Sequence, residues 1–478
     1  MLADELSYRI LTAFGHQPTA DQLEAVRVFA RFLTSRDDHA AMLLCGSAGT
    51  GKTSLAAAVV RSVAALGQKL VLLAPTGRAA KVFSLYSGHR AFTIHRRVYR
   101  QRSLEGGFSL SYNSMRHALF IVDEASMIGN ADSSLLDDLV QFVYSGQGCR
   151  LMLIGDTAQL PPVGETVSPA LSAAALGAYG LNVHSCTLNE VLRQSARSGI
   201  LWNATRLRLA SAQLSPAPGD TSRLALPRIR IEGFADVSVV PGDELVETLA
   251  SSYAHAGMDD TIVVTRSNKR ANIYNRGIRS TVLDREEELC RGDRLMVVRN
   301  NYFFSVGEAD GFDFIANGDQ CVVQRVRNVH QMHGFRFAEL TLRFPDYDDR
   351  ELTAMTLLDT LSSEAPALTR EQQEQLFQSV MADYADIPQK HERLKRVRED
   401  RYYNALQVKF AYAVTCHKAQ GGQWAHVYID QGYMTDDMLT PDYLHWLYTA
   451  FTRATGRLYL VNWPHAQIDT TQTEGVAD

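Results

Sequence analysis

Cysteine is scarce and scattered in this sequence. Six thiols (Cys45, Cys149, Cys186, Cys290, Cys321 and Cys416) lie far apart with no Cys-x-x-Cys pair. That excludes a disulfide framework and leaves no spacing for a zinc or iron–sulfur site. No apolar run approaches the roughly 18 residues that would cross a membrane. The opening Met1-Leu2-Ala3-Asp4-Glu5 lacks the basic and apolar regions of a secretory leader. A reducing, cytoplasmic setting without membrane contact is therefore expected. Internal repeats and low-complexity tracts are also missing, which excludes solenoid and collagen-like classes. Lysine is rare: only 8 of the 48 basic residues are Lys and 40 are Arg. The skew suits phosphate recognition and equally suits the codon bias of a GC-rich genome.

What is present fits a folded chain of several domains. At 478 residues and about 150 per domain, three domains are expected. Hydrophobic residues at 46% and charged residues at 21% are ordinary globular values. The formal charge of -5 argues, taken alone, against a polyanionic partner.

Short apolar runs at 41–45, 70–74, 119–122 and 151–154 alternate with helical stretches. Such runs read as parallel strands covered on both faces. A second set at 261–265, 427–429 and 457–461 suggests a second α/β lobe. Between 284 and 404 the texture changes to alternating stretches at 294–298, 320–326 and 336–342. These predict a β-rich insertion, ending in a charged, helical segment over 352–402. The boundaries expected are 1–177 for the first lobe, 178–283 with 405–478 for the second, and 284–404 for the insertion. Residues 211–222, rich in Pro and Ser, read as a linker.

Gly46-Ser47-Ala48-Gly49-Thr50-Gly51-Lys52-Thr53 follows a strand and opens an apolar helix. This is the context in which glycines let backbone N–H groups wrap phosphates at a helix N-terminus. Gly46, Ala48, Gly49, Thr50, Gly51, Lys52, Thr53 and Ser54 are the candidate nucleotide contacts. Lys52 would reach the outer phosphates of ATP, and Thr53 would ligate Mg2+. Asp123 and Glu124 end the run at 118–122; Asp123 suits the metal side and Glu124 a base that positions the attacking water. Gln159, in Gly155-Asp156-Thr157-Ala158-Gln159-Leu160-Pro161-Pro162-Val163-Gly164, stands where an amide could sense the terminal phosphate.

Local charge differs from the average. Between residues 78 and 117 eight basic residues (Arg78, Lys81, Arg90, Arg96, Arg97, Arg100, Arg102 and Arg116) face one acid, Glu105, giving +7. Six aromatics are interleaved there, the mixture a single strand needs for charge and stacking; a solvated basic face over core aromatics is the alternative. Residues 102–113, with Gly106-Gly107 at the centre, read as a hairpin.

The ordered set of phosphate loop, Asp123-Glu124-Ala125-Ser126, the Gly155–Gly164 segment, Tyr412-Ala413-Val414-Thr415-Cys416-His417-Lys418-Ala419-Gln420-Gly421 and Tyr448-Thr449-Ala450-Phe451-Thr452-Arg453-Ala454 resembles superfamily 1B helicases of the RecD and Dda type. The resemblance implies an α/β fold with two RecA-like parallel-sheet lobes, a small hairpin insertion in the first (about 96–117) and an SH3-like insertion in the second. It implies that Gln22 recognises adenine and that Arg193 and Arg453 reach the γ-phosphate. It assigns DNA contacts to Pro75 and Thr76, Thr93 and His95, Asn268, and Thr415, His417 and Lys418, and Lys81 joins them from the basic stretch. The hairpin becomes a strand-separating pin, with an ordinary surface hairpin as the alternative. Ala419 departs from the family, which commonly has Ser there.

The function expected is an ATP- and Mg2+-dependent DNA helicase moving 5′ to 3′ on single-stranded DNA and opening duplex junctions. Monomeric action is expected, with replication or repair proteins as candidate partners. A phosphate-loop ATPase or nucleotide kinase without a DNA track, and an ATP-switched single-strand clamp, are the alternatives.

Overall fold

The computed structural model describes residues 2–101, 108–131, 134–191, 198–213, 228–301, 303–305, 315–435 and 438–469. Apolar side chains at helical spacing form α1 (Leu2–Phe14) and α2 (Ala20–Thr34), the latter started by Thr19, whose hydroxyl accepts the Gln22 N–H. Strand β1 (Ala40–Gly46) is buried on both faces. Its Ala40, Met42 and Leu44 enter a core with α1, α2 and α3 (Lys52–Ala65), while Ala41, Leu43 and Cys45 enter a second core. This two-sided burial is why the strand reads as an unbroken apolar run.

The first lobe continues through β2 (Lys69–Ala74), α4 (Gly77–Ser87), β3 (Ala91–Thr93), α5 (Ile94–Val98), β4 (Tyr99–Gln101), β5 (Phe108–Leu110), β6 (Ala118–Val122), α6 (Leu135–Ser145), β7 (Arg150–Gly155), α7 (Ala173–Ala178) and β8 (Asn182–Leu188). The sheet runs β3-β2-β6-β7-β1-β8, parallel at every pair. The loops after β1, β2, β6 and β7 therefore leave along one rim, where parallel sheets hold ligands. The expected boundary at 177 is corrected by β8, which pairs with β1 along its whole length. As a half-exposed edge strand with sequence Asn-Val-His-Ser-Cys-Thr-Leu, it carries no apolar run to announce it.

The hairpin starts at Tyr99, before the 102 read from the Gly-Gly pattern and after the 96 that opens the expected insertion. Residues 96–98 are helical, in α5, and β4 pairs antiparallel with β5 from Tyr99 opposite Leu110 to Gln101 opposite Phe108. The Gly106-Gly107 turn lies outside the described residues.

The second lobe contains α8 (Gly199–Gln213), β9 (Ile229–Arg230), β10 (Val237–Val240), α9 (Leu245–His255), β11 (Thr261–Thr265) and α10 (Asn268–Gly277). Residues 211–213 of the expected linker close α8; the rest of it lies outside the described residues. The insertion follows as β12 (Arg294–Val297), β13 (Gln320–Met332), β14 (Phe335–Phe344), β15 (Arg350–Leu357), α11 (Arg370–Asp383), α12 (Lys390–Glu399) and β16 (Leu406–Phe410). The chain then returns through β17 (Ala413–Thr415), α13 (Cys416–Ala419), β18 (Trp424–Asp430), α14 (Pro441–Phe451), β19 (Ala454–Val461) and β20 (Ile468–Asp469). The second sheet is parallel throughout, in the order β10-β19-β18-β11-β17.

Strands β12 to β16 close into a barrel. Two expectations are corrected here. The charged segment expected to be helical over 352–402 begins as β15, whose Leu352 and Ala354 pack into the barrel core. The insertion also extends past 404, because β16 pairs with β12 and β15. At the junction with the second lobe, the fully buried Asp293 carboxylate accepts from Arg279, Arg285, the Tyr412 hydroxyl and the Cys290 N–H. Removing one partner from such a buried, satisfied charge is costly, so the barrel is firmly seated.

Candidate nucleotide and nucleic-acid site

The loop after β1 turns back because Gly49 and Gly51 adopt φ of +78° and +82°, values that L side chains avoid. Helix α3 then starts at Lys52, with Thr53 and Ser54 in its first turn. The Lys52 ammonium donates to the Gly46 and Ser47 carbonyls at 2.6 and 2.9 Å, folding its side chain over the loop. A Cβ on Gly46 would lie 2.9 Å from the Thr50 hydroxyl, so the fold of the loop needs glycine there. Gln22, expected at adenine, is 1% exposed, and both ends of its amide are engaged. Its Oε1 accepts the Thr19 N–H and its Nε2 donates to the Thr50 carbonyl at 2.9 Å. It thereby holds the phosphate loop to α2.

Asp123 and Glu124 follow β6, and Glu124 has a left-handed φ of +53°. Burial, then the adjacent Glu124 carboxylate, push the Asp123 carboxyl above the ordinary range. A cation would relieve that repulsion. The neighbouring loop after β7 carries Asp156, 2% exposed and 4.0 Å from the Lys52 ammonium. Gln159 is 7% exposed, and its Oε1 has no hydrogen-bond partner; the Ser47 hydroxyl of the phosphate loop is orphaned as well. Buried polar atoms are rarely left unpaired unless something else satisfies them. No cluster of three or more His, Cys, Asp or Glu able to hold a metal by itself occurs among the described residues. The donor set, a hydroxyl at Thr53 and a carboxylate at Asp123, instead fits a hard divalent cation that shares its oxygens with phosphate.

The second lobe meets this site through α14. The Tyr448 hydroxyl donates to Asp156 Oδ2 at 2.5 Å and accepts the Ala48 N–H at 2.9 Å. One residue on, the Thr449 hydroxyl accepts the Leu160 N–H at 2.8 Å, and Gln420 Nε2 donates to the Leu160 carbonyl at 2.8 Å. The sequence motif contains Tyr448 and Thr449, but residue types in order do not show which of its side chains crosses to the other lobe. Arg453 departs from expectation. Its guanidinium is buried and donates to Thr449 O, Gly422 O and the Thr452 hydroxyl, so it braces the second lobe, and reaching a phosphate would require exchanging those bonds. Arg193 lies outside the described residues.

Beyond the cleft, a groove of about 1200 Å³ runs between both lobes and the barrel. It gathers Thr76, Asn268, Thr415, His417 and Lys418 from the expected DNA contacts, together with Pro161 to Gly164, Arg266 and the barrel turn at Asn317 and Gly318. The Lys418 ammonium lies 3.4 Å from Asn317 Oδ1. Burial, with Lys409 nearby, lowers its pKa to about 8. Arg266 lies over the Tyr443 and Trp446 rings.

Pro75, Lys81, Thr93 and His95 do not line the groove. Pro75 follows β2, next to Thr76. Thr93 is 5% exposed and caps α5 by accepting the Arg96 N–H, and His95 packs beside Tyr99. Lys81 is committed to the barrel, donating to Pro345 O and pairing with Asp346. The basic stretch lies away from this groove: Arg78 stacks on Trp424, Arg90 and Arg96 lie over Phe92, and none of its described cations lines the groove. Asn272 and Asn275 are likewise structural, holding the Ser362 and Ser363 carbonyls and the Ala413 backbone.

An AAA-domain family model matches residues 17–216, and a model for the UvrD-like helicase C-terminal domain matches residues 410–461. The two stand in that order on one chain, and the cleft forms where their lobes meet. Both models, in this order, and the relatives below make the chain similar to the superfamily 1B helicases of the RecD/Dda type. The chain is 36% identical over 200 residues to the ATP-dependent RecD2 DNA helicase of Deinococcus radiodurans, a match covering 41% of this chain and 25% of that protein. It is 24% identical over 325 residues to the ATP-dependent DNA helicase dda of Enterobacteria phage T4, covering 64% of this chain and 66% of that protein. The match thus spans only about a quarter of the length of the Deinococcus relative. Among solved structures, a Pif1 helicase from Bacteroides in complex with ADP-AlF3 and ssDNA aligns over 96% of this chain and 95% of its own, at 15% identity and a TM-score of 0.48.

Proposed function

We propose that this protein is an ATP-dependent DNA helicase that moves 5′ to 3′ on single-stranded DNA and opens duplex, driven by hydrolysis between its two lobes. The observation that carries the reading is continuity: the loop from Asp156 to Gly164 borders the phosphate loop at one end and lines the groove at the other. A change at the nucleotide is thereby mechanically joined to a change at the strand.

Bound Mg-ATP would supply the scissile phosphoanhydride and the metal charge that offsets its oxygens. Lys52 holds the outer phosphates, with Thr53 and Asp123 on the metal side. Glu124 orients the attacking water and takes its proton, and the unpaired Gln159 oxygen accepts from that water. Thr76, Asn268, Thr415, His417 and Lys418 grip the strand from opposite walls of the groove. Directional stepping then follows from alternating grip as the lobes close and reopen. The hairpin at 99–110 is the proposed pin, and the chain is proposed to work as a monomer.

The deciding experiment is steady-state ATPase with and without oligo-dT. Stimulation of at least about tenfold is expected, a small part of the range that positioning effects provide in such enzymes. Equal rates would leave a phosphate-loop ATPase without a track, and single-turnover behaviour with DNA would leave a switched clamp. Unwinding of duplexes carrying a 5′ or a 3′ tail reads the polarity.

A further inference from the structure

Among the described residues, the second-lobe side chain that hydrogen-bonds to the phosphate loop is Tyr448, and the placement of Arg453 makes this difference important. We infer that Tyr448 is a positioning residue that sets the nucleotide loop according to how the second lobe is docked. The inference rests on the ATP-hydrolysis reading above and adds to it the residue through which DNA occupancy regulates turnover.

Three contacts define the device. The Tyr448 hydroxyl donates to Asp156 Oδ2 at 2.5 Å, and the same oxygen accepts the Ala48 N–H of the phosphate loop at 2.9 Å. Asp156 Oδ2 is in turn 4.0 Å from the Lys52 ammonium. One phenol therefore shares a carboxylate oxygen with the phosphate-binding lysine and also fixes a loop N–H. Tyr448 is 1% exposed, so water does not substitute for it. Burial and the Asp156 carboxylate hold its phenol well above the usual range, which keeps it protonated and able to donate. Bonds to a charged acceptor in a dry site are the stronger kind.

The remaining links run to the groove. Thr449, next to Tyr448 on α14, holds the Leu160 N–H, and Gln420, just after α13, holds the Leu160 carbonyl. Leu160, Pro161, Pro162 and Val163 line the groove with His417 and Lys418. A strand seated on α13 and on this loop would draw both toward one geometry, and Tyr448 would transmit it to Asp156 and Ala48. Without the hydroxyl, Asp156 loses its closest donor; Oδ1 keeps the Ala158 N–H and Oδ2 is left to Lys52. That competes with phosphate for the lysine and removes the Tyr448 hydrogen bond that ties the phosphate loop to the second lobe.

The test is Tyr448→Phe in the full chain, which deletes one oxygen and keeps the buried ring. ATPase is measured across ATP concentrations, with and without saturating oligo-dT, alongside oligo-dT affinity and the melting temperature. The expected result is a KM for ATP raised about fivefold or more and a DNA-stimulation ratio cut to about a third or less, with oligo-dT affinity within about twofold of the parent. KM and stimulation ratio both within about twofold of the parent would overturn the inference, as would a uniform loss of kcat at constant KM and ratio, the pattern of a merely structural residue. If the variant melts near the assay temperature, both proteins are assayed at an equal interval below their own Tm and the same criteria apply. Failure of the hydrolysis reading itself looks different, because the parent protein would then show no DNA stimulation at all.

Discussion

Lys418 offers a test in which the sign and size of a pH effect are fixed in advance. Its ammonium faces the groove beside Asn317, with Arg266, Lys269, His417, Glu165, Glu364 and Asp442 on the same walls. Burial, assisted by Lys409, lowers its pKa to about 8 from the usual 10.5. A strand phosphate in contact with the amine favours the charged form, so the pKa rises again on binding. Binding therefore takes up a proton at pH values above about 8. The affinity contribution is complete below that value and declines tenfold per unit above it, until the bound-state pKa is reached. Between about pH 7 and about pH 9 the charged fraction falls from roughly nine-tenths to roughly one-tenth, so oligo-dT affinity should fall about tenfold from this group alone. Fluorescence anisotropy of labelled oligo-dT at constant ionic strength measures it. Lys418→Arg supplies a charge that does not titrate in this range and should flatten the profile. A parent protein whose affinity is level over these two units, or an arginine variant with the same slope, would refute the assignment of Lys418 to a phosphate contact.

Two further substitutions probe how the groove is built. Gly77→Ala would place a Cβ 2.4 Å from the buried Asp319 Oδ1 of the barrel turn, so the contact between α4 and the barrel should open; a loss of about 1–3 kcal/mol in thermal or denaturant unfolding is expected, with weaker oligo-dT binding, and unchanged binding would mean the barrel wall is dispensable. Asn275→Ala removes both partners of the Ala413 backbone and should destabilise by about 1–3 kcal/mol in denaturant titration, whereas a DNA-binding defect at full stability would make Asn275 a strand contact instead.

The sequence was most legible where chemistry and packing use the same residues. The phosphate loop could be found because glycines at fixed spacing, a strand before and a helix after are all needed at once. The central strands could be found because burial on both faces makes them continuously apolar. Strand β8 leaves no apolar run because an edge strand needs apolar residues on one face at most. The barrel's last strand is not distinguished by its sequence, because Leu406 to Phe410 looks the same whether it closes a barrel or resumes a sheet. Site residues were harder to read because a motif gives types and order but no rotamers. Arg453 and Tyr448 lie five residues apart on one motif, yet the guanidinium turns back into its own lobe while the phenol crosses the cleft. Lys81 looked like a phosphate contact only because Asp346, its partner, is 265 positions away in sequence.

The same distinction changes what the net charge means. A basic stretch of +7 acting as the track would predict a log-log salt slope near -5, at about -0.7 for each phosphate neutralised on a single strand. The groove instead presents Arg266, Lys269 and Lys418 as its charged donors, opposed by Glu165, Glu364 and Asp442. Three cations predict a slope near -2 by the same rule. Much of the grip would then come from neutral groups, Thr76, Asn268 and Thr415, and from stacking against the Pro161–Pro162 loop, terms that salt hardly affects. A chain of net charge -5 can hold a polyanion on those terms because it does not rely on long-range attraction. Titrating oligo-dT affinity against salt at about pH 7 separates the two cases. A slope near -5 would restore the basic stretch as the track and would mean that the groove is not where the strand lies.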